Sequence, residues 1–213
     1  MLAIRCCDQF TSSGGTALAA LLWGDSDFSG ALATTVYRQN FTEVSDIADI
    51  SLANRGYRYL RDKAVQLYPY GYGLSYTAWS TPKLAWSGAV RAVSARSMGR
   101  VNATVTVRNM GRRPSSLPVL LFVQRVAPTA VDSAALHWPN KWLVAFEKAK
   151  SVAPSATRKL ELSFGADEMA RWVVPAGAAP ESGGFRVVPG EYRLTVQTQR
   201  GNTAASLPLT ITA

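Results

Sequence analysis

Two cysteines and one histidine are all that this 213-residue chain offers to thiol or soft-metal chemistry. Cys6 and Cys7 are adjacent, a placement that strains a mutual disulfide, so no internal bridge is expected. No second spaced pair accompanies them and His137 stands alone, so neither a metal nor another cofactor is expected. No apolar run approaches the ~20 residues that span a bilayer, and membrane insertion is not expected. The opening "MLAIRCCDQFTSSGG" lacks the long apolar core of a secretion signal. Acidic residues are also scarce, 14 against 23 Lys and Arg, for a net charge of +9. The excess is uneven. Residues 1–79 hold six basic and seven acidic side chains, whereas residues 80–213 hold seventeen and seven. Such a basic part raises nucleic-acid binding, but the charges are spread through strand-like patterns and some stand beside acids, as in "FEKAK". The expectation is a solvated basic surface without a nucleic-acid partner.

Hydrophobic residues make up 47% of the chain, enough for one or two ordinary cores. Thr16 to Trp23 is rich in Ala and Leu and predicts a short helix, with Ser12 or Ser13 capping its start and Gly24 just past its end. Ala17, Leu18, Leu21 and Leu22 form its apolar face. "GDSDFSG" reads as a turn and "ALATTVY", 31–37, as a strand. One helix and one strand are too little for a domain, so residues 1–60 read as the end of an α/β unit. Val44, Ile47, Ile50 and Leu52 are isolated anchors in a long ordered connection.

The stretch "LYPYGYGLSYTAW", Leu67–Trp79, carries five rings on a path that Pro69, Gly71 and Gly73 bar from helix. Rings on an extended path, with polar tips, suit packing between domains, and residues 61–81 read as an aromatic-rich interdomain linker. From residue 82 the texture changes. "VNATVTVRN" alternates, with Val101, Ala103, Val105 and Val107 on one face. "LPVLLFVQRV" reads as a more fully buried strand, followed by "KWLVAFEK", "RKLELSF", "GEYRLTVQTQ" and "ASLPLTIT". With one near "LAWSGAV", about seven short strands separated by turn signals predict a β-sandwich over 82–213. "GADEMARWVVPAGAAPESGG" reads as a helical turn and a surface loop. The fold class is therefore mainly β.

Three stretches, "GGTALAALLWGDSDFSGALATTVY", "RGYRYL" and "LYPYGYGLSYTAW", resemble in order and spacing the later part of glycoside hydrolase family 3, the family of exo-acting β-glucosidases and β-xylosidases. "PNKWLVAFEKAKSV" and "VVPGEYRLTV" resemble strands of that family's fibronectin type III-like domain. The likeness departs at Phe28, Ala31 and Ala33, where a proline, a basic residue and a proline are common, at Asn54 and Gly56 around Arg55, and at Leu60, where an aromatic is usual. The resemblance implies a fibronectin type III-like sandwich preceded by the incomplete end of an α/β sandwich domain. It implies a parent that releases terminal β-linked xylose or glucose by a retaining, metal-free route. "TEVSDIADISL" leans toward the xylosidase branch.

Retaining hydrolysis needs two carboxyl groups ~5 Å apart. In this family they are an aspartate of the first domain and a glutamate before the motifs seen here. Neither motif matches this chain, Glu43 being the one Glu in residues 1–79, so no catalytic residue is expected and the chain alone is expected to be inactive. Asp25, Asp27, Asp46 and Asp49 read as turn and capping residues. Its partners would be the preceding catalytic domains and, in the parent, a β-linked oligosaccharide. Arg55, Tyr57 and Tyr70 are candidates for a substrate rim, against the plainer reading that they bridge domains. Trp138 and Trp142, beside His137 in "ALHWPNKW", are candidates for carbohydrate binding, against core packing. Two coplanar exposed rings there would favour the former. Asn40 and Asn102 open sequons that matter only in a secreted or vacuolar parent. The rival reading of the whole is a non-catalytic carbohydrate-binding or protein-interaction module derived from such an enzyme.

Overall fold

The computed structural model describes residues 12–46, 48, 52–88, 92–126, 138–174 and 179–213. Cys6, Cys7, Ile47, Asp49, Ile50 and His137, singled out in the sequence, lie outside the described residues. Helix α1 spans Ser12–Trp23, so Ser12 and Ser13 lie within it instead of capping a helix that begins at Thr16. It ends where Gly24 adopts φ +83°, the left-handed geometry that a Cβ disfavours. The Ser26 N–H then closes on Ala20 O at 3.0 Å and the Tyr76 hydroxyl donates to Leu21 O at 2.7 Å, satisfying carbonyls the helix leaves open.

Strand β1, Val36–Tyr37, pairs antiparallel with β2, Gln66–Tyr68. The expected strand over 31–37 thus forms only at its last two residues. Upstream, the backbone at Leu32 pairs instead with the ring-rich stretch, through Leu32 N–H to Tyr72 O and Gly71 N–H to Leu32 O, both 2.8 Å. Between β1 and β2 the described chain is single turns: α2, Phe41–Val44; α3, Gly56–Tyr59; and a 3-10 turn, Lys63–Val65.

The sandwich begins with β3, Lys83–Trp86, and β4, Ala92–Ser94. It continues through β5, Val101–Arg108, β6, Ser115–Arg125, β7, Trp142–Val152, and β8, Thr157–Phe164. The turn α4, Ala166–Met169, leads to a ribbon of β9, Arg171–Val173, and β10, Gly184–Arg186. Strands β11, Gly190–Gln197, and β12, Thr203–Thr212, follow. One sheet has the order β4-β12-β11-β6-β7 and the facing one β3-β5-β8. Neighbours are antiparallel except β12 and β4. The segment read as one strand near "LAWSGAV" thus serves both sheets, β3 in one and β4 in the other.

Alternation does what the sequence asks. Val101, Ala103, Val105 and Val107 of β5 face Leu117, Val119, Leu121 and Val123 of β6 and Leu194, Val196, Leu209 and Ile211 within one buried core. Strand β6 is covered on its other face too. Phe122 is fully buried there, and the stretch around Gly71 lies on Leu120. That second cover explains why "LPVLLFVQRV" is apolar without alternating. The loop after β5 is organised by Asn109, which is buried. Its side-chain oxygen accepts from the Thr77 hydroxyl at 2.6 Å and the Gly111 N–H at 2.9 Å. Its amide donates to Arg113 O at 2.7 Å and Val152 O at 2.9 Å. All four of its bonding positions are filled, which is what makes a buried amide tolerable.

Candidate functional site

The residues of interest converge on the seam between residues 12–79 and the β6–β7 face of the sandwich. The turn of "GDSDFSG" is pinned by Asp27. Its carboxylate accepts from the hydroxyls of Ser75 in the linker and Ser115 at the start of β6, and from the Tyr76 N–H at 2.7 Å. Arg113 donates to Gly24 O, and Lys148 of β7 donates to the Ser29 hydroxyl at 2.9 Å. Asp27 was read as a turn residue; it joins three segments at once. The linker meets the β11–β12 turn as well: Gly73 N–H donates to Gln199 O at 2.8 Å, and Gly201, at φ +83°, packs on Pro69.

At the centre is a ring cluster. Tyr57 and Tyr70 lie 4.3 Å apart at 30°, and both stand edge-on to Phe122, at 5.8 Å and 6.1 Å. The Tyr57 hydroxyl accepts from Leu143 N–H at 3.4 Å, and burial, then the Tyr57 neighbour, raise the Tyr70 phenol above its ordinary pKa. Arg55 is turned the other way. Its Nε donates to the Ser45 hydroxyl at 2.8 Å and Nη2 to Asp46 O, so its fork holds the loop before it. Tyr37 supports the same turn, accepting from Gly56 N–H at 2.5 Å and stacking on Phe41 at 3.9 Å. The three rim candidates therefore divide: Tyr57 and Tyr70 are together, Arg55 is apart.

Trp138 and Trp142 are 6.3 Å apart but tilted by 41°, and Trp142 is only 1% exposed. Trp142 is a core residue: its Nε1 donates to Glu168 O at 3.1 Å and its ring meets Tyr192 edge-on at 6.1 Å. The Arg125 guanidinium covers Trp138 at 4.4 Å. The flat paired platform is not formed at this position, because the alternation of β7 turns Trp142 inward. The exposed ring pair lies elsewhere, on the β9–β10 ribbon, where Trp172 and Phe185 meet at 5.4 Å and 76°, with Phe185 73% exposed.

Sequence reading missed the cations that line the seam. Lys141 sits 4.7 Å over Phe122 and Arg171 3.8 Å over Trp142. Burial and then the Lys63 ammonium pull the Lys141 amine down to about 8. Burial and then the Arg58 guanidinium pull Arg171 down to about 10. A lysine next to "PN" ahead of an inward Trp was the available signal, but nothing local says which rings it would meet.

Residues 119–200 match the fibronectin type III-like domain family. The exo-1,4-β-xylosidase of Aspergillus oryzae is 28% identical to this chain, over 88% of the chain and 24% of its own length. The xylan 1,4-β-xylosidase of Xylanibacter ruminicola is 30% identical, over 87% and 19%. Among solved structures, a family 3 exo-β-xylosidase superposes with a TM-score of 0.69 at 22% identity, over 94% of this chain and 26% of its own. β-Glucosidase 3B of Thermotoga neapolitana gives 0.69 at 21%, over 93% and 26%. The chain spans about a quarter or less of the length of these relatives. Residues 119–200 thus carry a fibronectin type III-like domain, and the chain is homologous to part of these longer xylosidases.

Proposed function

We propose that this chain is the scaffold end of a retaining exo-β-glycosidase that releases terminal β-linked xylose, supplying interdomain packing and neither catalytic carboxylate. One observation carries the reading: the apolar surface of residues 12–67 is left open. Leu22, Trp23, Leu52 and Leu67 are all exposed, although the same segment is bonded to the sandwich through Asp27, Arg113 and Gly73. Several large uncovered apolar side chains on an anchored segment fit a surface made to pack on further polypeptide. Xylose is favoured over glucose because the relatives named above by sequence are xylosidases. Within this reading the division runs 1–60, 61–81 and 82–213, supported by β3 opening at Lys83. Tyr57 and Tyr70 act as bridging residues, supported by their ring contacts with Phe122 and the Tyr57 bond to Leu143, while Arg55 holds its own loop through Ser45 and Asp46.

The exposed Trp172–Phe185 pair favours a second reading, a non-catalytic carbohydrate-binding module. Two assays separate them. Purified chain is expected to give no turnover of nitrophenyl β-xyloside or β-glucoside and no retention on insoluble xylan. Turnover that tracks the pure protein overturns the scaffold reading; retention lost in Phe185→Ala moves the assignment to the binding module.

A further inference from the structure

After Gly73 the linker and the β11–β12 hairpin diverge. Gly73 N–H still donates to Gln199 O at 2.8 Å. A few residues on, the chain turns to β5 and its loop instead, with Met110 N–H donating to Ala78 O at 2.7 Å and Ser80 N–H to Arg108 O at 2.9 Å. The hairpin turn stays behind, closed by Thr198 N–H to Asn202 O at 2.7 Å and Gly201 N–H to Thr198 O at 2.9 Å. Between the two paths lies a cleft of about 400 Å³, within the ~300–1,000 Å³ usual for small-molecule sites. Both walls are anchored. The Thr77 hydroxyl donates to Asn109, which is itself fully bonded, and Gly201 packs on Pro69.

The cleft is amphipathic. Buried Leu117 and Pro82 and the half-buried Trp79 give it an apolar side. Thr81, Arg200 and Asn202 line it too and are exposed. Among the described residues their side chains make no hydrogen bond or ion pair, so their polar groups are open to a ligand. The Ser80 hydroxyl accepts from Arg108 N–H at 3.0 Å and keeps its own proton to donate. The Thr198 hydroxyl and the Gln199 amide nitrogen are sealed from solvent and offer a ligand nothing. Arg200 is the one charged residue of the lining, and no carboxylate stands beside it. A cation therefore finds no counter-charge, and an anion finds a single guanidinium. An apolar side with neutral hydroxyl and amide groups around it suits a pyranose, whose C–H face is apolar and whose hydroxyls both donate and accept.

We propose that this cleft holds one pyranose unit of a neutral sugar, its C–H face toward Trp79 and its hydroxyls bonded to Ser80, Thr81, Arg200 and Asn202. The cleft lies at the opposite end of β11 from the Trp172–Phe185 ribbon, and its lining is the same whether or not the chain belongs to a glycosidase. A ligand of about ten non-hydrogen atoms is held with a Kd on the order of 1 mM, too weak for retention on an insoluble polymer.

The test is an amide NMR titration of the full chain with methyl β-xylopyranoside or methyl β-glucopyranoside, against glycerol and sodium phosphate at matched ionic strength. A saturating response to either glycoside is expected, confined to residues 79–81 and 198–202, with none to glycerol. Arg200→Ala and Asn202→Ala, both exposed and outside the core, are each expected to weaken binding about threefold or more. Phe185→Ala is expected to leave it unchanged. No saturation below ~50 mM overturns the proposal. So do an equal response to glycerol, an unchanged response in both rim variants, and a tighter response to phosphate, which marks an anion site at Arg200. Shifts centred on Trp172 and Phe185 and lost in Phe185→Ala also overturn it and move sugar binding to the ribbon. Each of these results is independent of nitrophenyl glycoside turnover, which tests the scaffold reading.

Discussion

Two tryptophans measure the difference between the two regions of this molecule. Trp142, in the sandwich, is 1% exposed; Trp23, at the end of α1, is 78% exposed. The contrast extends to their surroundings. Inward residues of six strands fill a single core, whereas α1 has no fully buried residue among those described. The segment before the sandwich is fixed by polar pins, Asp27, Tyr76 and Arg113, and by rings laid on β6. The sandwich is thus held by a core of its own, while the preceding segment is held mainly by what it leans on. Hydrogen bonds to a neighbour give position, and burial gives most of the stability.

Removing the buried member of the pair has the largest expected effect. Trp142→Ala empties a site walled by Tyr192 and Trp138, frees the Glu168 carbonyl and takes the ring from beneath Arg171. The expected loss is about 3–5 kcal/mol, read as a lower midpoint in urea with little change in slope. A loss below 1 kcal/mol would mean that the core is far looser than its burial implies.

The seam itself can be probed by pH. Lys141 has a folded-state pKa of about 8, below its ordinary 10.5, so the unfolded chain holds more protons between those values. Stability should therefore rise with pH once pH passes about 8, and by pH 9.5 the gain is about 2 kcal/mol. The charged group acting on the amine is Lys63. Lys141→Met should be more stable than the parent at pH 7 and should lose the rise, in urea titrations at pH 7, 8.5 and 9.5. An equal rise in both proteins would place its origin elsewhere.

How legible each region was follows from the same contrast. The strands β5, β8 and β11 could be read because period-two alternation is local and faces one core. The double burial of β6 could be read as apolar richness, but not its cause, since Tyr57 and Tyr70 come from more than fifty residues upstream. Strand β1 shrank to two residues because Leu32 found its partner in the linker backbone, a pairing that no local pattern encodes. Trp142 looked like a binding ring beside Trp138 because spacing alone does not say which face of β7 turns inward. Asn109, Lys141 and Arg171 act through partners distant in sequence, and single polar residues carry no period by which to find them.

The exposed tryptophan gives the smallest expected effect and the most discriminating one. Trp23→Ser removes a large ring from a helix end where it is 78% exposed, so within this chain the change in stability should stay inside about 0.5 kcal/mol. The helix stop does not depend on it, because Gly24 and Tyr76 close the last turn. Solubility should improve, since an exposed ring beside the exposed Leu22 is removed. If the surface is made for further polypeptide, the same substitution in a protein that contains that polypeptide becomes a buried polar replacement costing several kcal/mol. Neutrality in both settings would leave the open face without a partner and would remove the main support for the scaffold reading. Neutrality here with a large loss in the longer protein would show that α1 belongs to an interface and not to the surface it now forms.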